Sequence, residues 1–238
     1  EGIKLDSVSK KVLITGIDSF TGKYLASFLT KKGYQVFGTS LQKKDNNIFK
    51  LDITKMEEVK EIFSIFQPDY IIHLSAISFV KYGNNEDFYN VNTIGTINIL
   101  EALLTYNQNP KKIILSSSAA VYGNQKKEVL DESLCPMPAN HYGASKYAME
   151  SLSKNYFDKL NVIITRPFNY TGVGQNEWFL IPKIVAHYKN KEKTIELGNI
   201  NVYREFNNIN DIINIYFQLL TSSNKSDIVN VASQNPIS

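Results

Sequence analysis

Short apolar runs alternate along the chain with longer segments whose apolar positions recur every three or four residues. The first run, 11–15, carries Val12, Leu13 and Ile14 in succession and reads as a buried strand. Phe20, Tyr24, Leu25, Phe28 and Leu29 follow at helical spacing, which predicts a helix over 20–32 closed by Gly33. Further strands are expected over 34–39 and 48–53, with Asp52 and Thr54 suited to a turn and helix cap. Met56, Val59, Ile62, Phe63 and Phe66 form the stripe of a second helix, Pro68 punctuates, and 70–74 reads as a fourth strand. The pattern continues with a helix over 87–106, a strand over 113–118, a helix over 142–160 and a strand over 162–165. This alternation predicts an α/β fold, a doubly wound parallel sheet.

After Arg166 the character changes, because Pro167, Gly172, Gly174 and Pro182 interrupt regular structure. A helix over 179–188, short strands over 194–197 and 202–206, a helix over 209–220 and a last strand over 227–231 are expected. The chain therefore divides into a polar, flexible leader (1–10), a sheet domain (11–167) and a smaller substrate-binding lobe (168–238). That lobe is expected over the sheet's carboxyl edge, partly woven back into the sheet domain.

Composition narrows the classes. The 238 residues can bury a substantial core, and 43% hydrophobic with 21% charged residues is ordinary for a globular protein. The net charge of +3 is spread over scattered lysines, which points away from nucleic acid and membranes as partners. The single cysteine, Cys135, excludes an internal disulfide and suits a reduced, cytoplasmic setting; between Leu134 and Pro136 it reads as an incidental loop thiol. His73, His141 and His187 have no metal-ligand spacing, so no metal is expected. No apolar run is long enough for a membrane span, and no signal peptide is visible.

The first strand–helix junction carries the first candidate chemistry: Gly16, Asp18, Ser19, Phe20 and Gly22. Gly16 would allow a tight turn and Gly22 a close approach of helix to sheet. The helix N-terminus would then offer amides and a positive dipole end to the pyrophosphate of a dinucleotide, as in a Rossmann domain. Turns need glycines in any case, and Ser19 replaces the middle glycine of such loops. The second strand ends Gly38-Thr39-Ser40 with no acidic residue to hold a ribose 2′-hydroxyl. Ser40, with Lys43 or Lys44 nearby, suits a 2′-phosphate better, so NADP(H) is favoured and NAD(H) remains possible. Asp52 and Ile53 could flank the adenine. Leu74, Ser75 and Ala76, at the end of the fourth strand, could line the cofactor's path.

The second candidate is a serine, tyrosine and lysine. Ser118 falls at the end of the fifth strand, the edge where parallel sheets bind ligands. Tyr142 and Lys146 are four apart on the following helix and share a face. Together they could pass a proton to or from a sugar or alcohol oxygen, although a Tyr and a Lys four apart also occur on many helices by chance.

Eight segments in order then resemble the extended short-chain dehydrogenase/reductases, the nucleotide-sugar epimerases, dehydratases and reductases. They are TGIDSFTG (15–22), LDIT (51–54), DYIIHLSA (69–76), NVNTIGTINILEA (90–102), SSSAAVYG (116–123), YGASKYAME (142–150), RPFNYTGVGQ (166–175) and REFNNINDI (204–212). The resemblance covers about residues 11–235 and is nearest the GDP-4-keto-6-deoxy-mannose reductases.

The resemblance implies that Tyr142 is the general acid/base, that Lys146 lowers its pKa and holds the nicotinamide ribose, and that Ser118 bonds the reacting oxygen. It implies Asn92 near the cofactor, and Ser78, Ala119, Asn169 and Arg204 at a nucleotide-diphosphate sugar, Arg204 at the diphosphate. The 4,6-dehydratases of the family carry an Asp–Glu pair where Ala119 and Ala120 stand here, so elimination of water is not expected. NADPH-dependent reduction of a 4-keto-6-deoxy sugar, NAD-dependent 4-epimerisation and, third, dinucleotide binding without turnover remain. Relatives of this shape continue past a strand like that at 227–231, so the lobe is expected to be incomplete or of a short, open form. A homodimer through the helices at 87–106 and 142–160 is also implied, with Tyr147, Ala148, Leu152 and Tyr156 as contact candidates.

Overall fold

The computed structural model describes residues 9–42, 44–78 and 84–237. The leader expected over 1–10 falls outside them except for Ser9 and Lys10, and Lys43 falls outside as well. Seven parallel strands form the main sheet: β1 (Lys11–Thr15), β2 (Gln35–Ser40), β3 (Ile48–Lys50), β4 (Tyr70–His73), β5 (Lys112–Ser116), β6 (Val162–Pro167) and a last strand, Asp227–Val231. A two-residue strand, β7 (Tyr170–Thr171), pairs with β8 (Asn207–Asn208), which makes the last strand β9. The order β3-β2-β1-β4-β5-β6-β9 reverses direction between β1 and β4, the crevice where doubly wound sheets bind ligands. It is the Rossmann arrangement expected from the alternation.

The helices are α1 (Phe20–Lys31), α2 (Met56–Ile65), α3 (Glu86–Tyr89), α4 (Thr96–Thr105), α5 (His141–Ser153), α6 (Leu180–Lys189) and α7 (Ile209–Thr221). The period of two in the strands sorts side chains to the two faces. Leu13, Ile71, Ile113, Leu115 and Ile164 pack with α2, α4 and α5 in one core. Val12, Ile14, Ile72, Ile114 and Val231 pack with α1 and α7 in the other. The elements α7 and β9, both beyond residue 168, thus belong to the sheet's own layers.

Several expectations are corrected. The helix over 87–106 contains a π-helical stretch, Asn90–Gly95, between α3 and α4. That wider turn presents buried Asn92 to two neighbouring segments. Ser118 lies beyond β5, because the strand ends at Ser116 and Ser118 instead caps a 3₁₀ turn, Ala119–Tyr122. The helix over 142–160 ends at Ser153 and continues as a 3₁₀ turn, Lys154–Tyr156. Asp52 and Thr54 do not cap α2: Asp52 closes a turn by accepting from the Thr54 amide and hydroxyl, and Lys55 stands at the cap position. The strands expected over 194–197 and 202–206 are not formed. A strand needs a partner edge, and the pairing found there is a single bridge between Arg204 and Ile237.

Candidate active site

The loop from β1 to α1 is fastened to its neighbours before any ligand enters. Gly16 takes a positive φ of 66°, and a side chain there would crowd the backbone of Ser75. Gly22 is required by the loop rather than the sheet, since an added Cβ would stand 2.5 Å from the Gly16 carbonyl oxygen. Ser19 has ordinary extended backbone, and its hydroxyl accepts from the Gly22 amide at 3.0 Å, capping α1. A serine therefore serves where a glycine is usual. Phe20 opens α1, stacks on Tyr170 at 6.4 Å and meets Tyr24 edge-on. The arrangement fits a dinucleotide: a tight glycine turn, a capped helix N-terminus, and the open end of the sheet beside it.

β2 brings no carboxylate, but the loop does. Asp18 Oδ2 accepts from the Ser40 hydroxyl at 2.7 Å, placing an acidic group at the carboxyl end of β2. Ser40 itself is buried. Asp52 is held in its turn, and Ile53 is a core residue packed on Gly95, its carbonyl accepting from Asn98.

At the end of β4, Thr15 accepts from the Leu74 and Ser75 amides, so its own hydrogen goes to His73 Nδ1 at 2.6 Å. Thr96 donates to the Asn92 carbonyl, so His73 Nε2 carries the hydrogen it shares with Thr96. His73 is thereby a neutral, buried tie; burial, helped by the Lys146 charge, pushes its pKa down to about 3. Asn92 accepts from the Ile77 amide and donates to the Ile77 carbonyl and to Ser145, clamping segment 74–77 to α5. Of the residues expected along the cofactor, Leu74 and Ser75 are partly buried and Ala76 is exposed; Ser78, expected at the sugar, is exposed.

Tyr142 and Lys146 stand one turn apart on α5, whose first turn is capped by Asn140. Burial pushes the Tyr142 phenol up to about 12; the Ser118 hydroxyl bonds to it and pulls the other way, and the nearby Tyr170 phenol adds to the rise. Lys146 is not among the causes of that shift. The Lys146 ammonium instead donates to the Ser116 carbonyl at 2.7 Å, and burial lowers it to about 8 against the pull of Glu150. Ser118, Tyr142 and Lys146 are thus brought together, with Ala119 beside them in the 3₁₀ turn. Asn169 and Arg204 are exposed; the Asn169 carbonyl accepts from Asn207, and the Arg204 backbone pairs with Ile237.

Reading the sequence missed the charge beneath this centre. Glu150 and Arg166 form a buried two-pronged ion pair, Nη2 to Oε2 at 2.7 Å and Nε to Oε1 at 3.0 Å. Ser117 donates to Glu150, Arg166 reaches the Tyr122 hydroxyl, and Tyr122 donates to Asn230 on β9. Tyr216 of α7 bonds Ser116 and Thr165, fixing the ends of β5 and β6. A signal for Glu150 existed: it lies four residues beyond Lys146, as Lys146 lies four beyond Tyr142.

A family model described as "NAD dependent epimerase/dehydratase family" matches residues 12–232. The chain belongs to that family. A relative named GDP-6-deoxy-D-talose 4-dehydrogenase, from Aggregatibacter actinomycetemcomitans, is 37% identical over 94% of this chain and 74% of its own length. A GDP-6-deoxy-D-mannose reductase from Pseudomonas aeruginosa is 27% identical over 95% of this chain and 75% of its own. Among solved structures, RMD from Pseudomonas aeruginosa complexed with NADPH is 26% identical, covers 96% of this chain and 77% of that one, and superposes with a TM-score of 0.82. As an epimerase/dehydratase family member, this chain is a nucleotide-sugar-modifying enzyme with a Rossmann fold. Among the described residues, no helix is long and apolar enough to cross a membrane, and no three His, Cys, Asp or Glu side chains gather as a metal site.

Proposed function

We propose that the protein moves a hydride between a nicotinamide dinucleotide and C4 of a nucleotide-linked 6-deoxy-hexose, running as a 4-keto reductase. The observation that carries this is the convergence of Ser118, Tyr142 and Lys146 at the carboxyl end of β5, with no carboxylate at Ala119 or Ala120. The dinucleotide, when bound, supplies or accepts the hydride. The loop at 16–22 would hold its pyrophosphate, segment 74–76 its middle, and Lys146 the nicotinamide ribose. Ser118 would bond the C4 oxygen.

Tyr142 would give its proton to that oxygen as hydride arrives. A phenol pushed up to about 12 stays protonated at neutral pH, the form a general acid needs. Bound, oxidised nicotinamide beside the Lys146 ammonium would favour phenolate and so assist the reverse step. Asn169 and Arg204 would hold the sugar and diphosphate, the guanidinium by paired hydrogen bonds. The relatives named as a 4-dehydrogenase and a reductase of GDP-6-deoxy sugars support redox chemistry on such a sugar, the first of them at this position. Epimerisation at C4 uses the same three side chains and is the second reading, favoured by the Ala-Ala pair after the serines. A dimer would form through α4 and α5, where Leu152 is exposed; Tyr156, buried in the core, would take no part.

The test is to offer NADPH or NADH with a panel of nucleotide-4-keto-6-deoxy sugars and follow nicotinamide absorbance. Stoichiometric oxidation supports the reductase; interconversion of two sugars without net oxidation means an epimerase; binding without either means a regulator.

A further inference from the structure

We propose that Asp18, delivered by the loop after β1, replaces the acidic residue missing from β2 and selects NAD(H) over NADP(H). The inference rests on the reading of that loop as a dinucleotide site and reverses the preference drawn from the bare sequence.

Three observations carry it. First, the loop is stapled to β2: Ile17 N donates to the Thr39 carbonyl at 3.1 Å and Gly16 N to the Thr39 hydroxyl at 3.4 Å. Ile17 also fills the space beside Gly38, where an added Cβ would stand 2.5 Å from three of its carbons. This docking fixes where the next residue, Asp18, can reach. Second, Asp18 is exposed and lies against Ser40 at the carboxyl end of β2. An acidic side chain at the end of that strand is what holds the adenosine ribose 2′-hydroxyl in NAD-selective sites of this architecture. A carboxylate can only accept, which suits a ribose diol and repels a 2′-phosphate. Third, Ser40 cannot serve the phosphate as the sequence suggested. It is 3% exposed, its one hydroxyl hydrogen goes to Asp18, and its oxygen accepts from Gln42 N at 3.2 Å. A phosphate needs donors at that point, and Ser40 has committed its own.

In NAD-selective sites of this architecture the acidic residue usually lies about 20 positions beyond the glycine loop. Here the carboxylate comes from within the loop itself and meets β2 in space.

The test is direct binding. The purified protein is titrated calorimetrically with NADH, NADPH, ADP-ribose and 2′-phospho-ADP-ribose, as wild type and as Asp18→Asn, which keeps an acceptor for Ser40 and removes the charge. NADH and ADP-ribose are expected to bind about tenfold or more tightly than their 2′-phosphorylated counterparts. In Asp18→Asn that ratio should collapse toward unity, mainly through tighter binding of the phosphorylated pair. NADPH binding as tightly as NADH to wild type, or an unchanged ratio in Asp18→Asn, overturns the proposal and leaves the dinucleotide site standing. If none of the four binds, the dinucleotide reading of the loop falls, and this inference with it.

Discussion

The floor of the site and the segment beyond β7 are built in opposite ways. At the floor, Glu150, Arg166, His73 and Lys146 are all buried, and each is paired or hydrogen-bonded to elements distant in sequence. In the segment from Val173 to Tyr203, α6 has no buried residue, and Val173, Trp178 and Tyr188 are 89%, 62% and 83% exposed. Buried charge is costly, and it persists only where every partner is in place. The floor accepts that cost in exchange for fixing the positions of Ser118, Tyr142 and Lys146. The ties of the exposed segment are local, His187 to Glu192 and Lys183 to the Glu196 carbonyl.

The comparison can be broken from the floor upward. Tyr142→Phe should lower kcat by roughly 10²–10⁴-fold, the usual contribution of a positioned acid, while calorimetry shows dinucleotide affinity retained. Glu150→Ala leaves the Arg166 guanidinium buried without its carboxylate and should cost about 3–5 kcal/mol in denaturant unfolding. A loss under about 1 kcal/mol would mean the ion pair is not part of what holds the floor.

The pH dependence follows from His73. Its folded pKa is about 3, against 6.5 for a free side chain, so the stability it contributes is complete above 6.5 and is lost as pH falls toward 3. The expected loss is on the order of a few kcal/mol, read as a falling unfolding midpoint over that window, and His73→Asn should flatten it. The smallest effect belongs to the other region. Val185→Ser with Tyr188→Ser on α6 should change unfolding free energy by about 0.5 kcal/mol or less, as exposed substitutions do. A large loss would show that this helix is packed against something and would dissolve the contrast.

Much of the sheet was legible because its signals are local. Val12-Leu13-Ile14 and the five apolar positions of α1 announce their elements within a dozen residues. The doubly wound order follows from their alternation. Tyr142 and Lys146 were visible because one helical turn joins them. Glu150–Arg166 and Thr15–His73–Thr96 were not, because their partners are separated by 16 to 58 positions and meet only once strands pair and helices pack on the sheet. The false strands at 194–197 and 202–206 show the same limit from the other side: an extended pattern needs an edge to pair with, and no short window of sequence supplies one. Lys146 likewise donates to the Ser116 carbonyl, 30 positions away, a contact that helical spacing does not announce.

The central claim is hydride transfer to C4 with a proton from Tyr142. It is tested most directly by giving the enzyme a nucleotide-4-keto-6-deoxy sugar with nicotinamide deuterated at the transferring position and reading the product by NMR. One deuterium at C4 per nicotinamide oxidised, lost with Tyr142→Phe, is the predicted result. Deuterium at another carbon, or full incorporation by Tyr142→Phe at the wild-type rate, would contradict it.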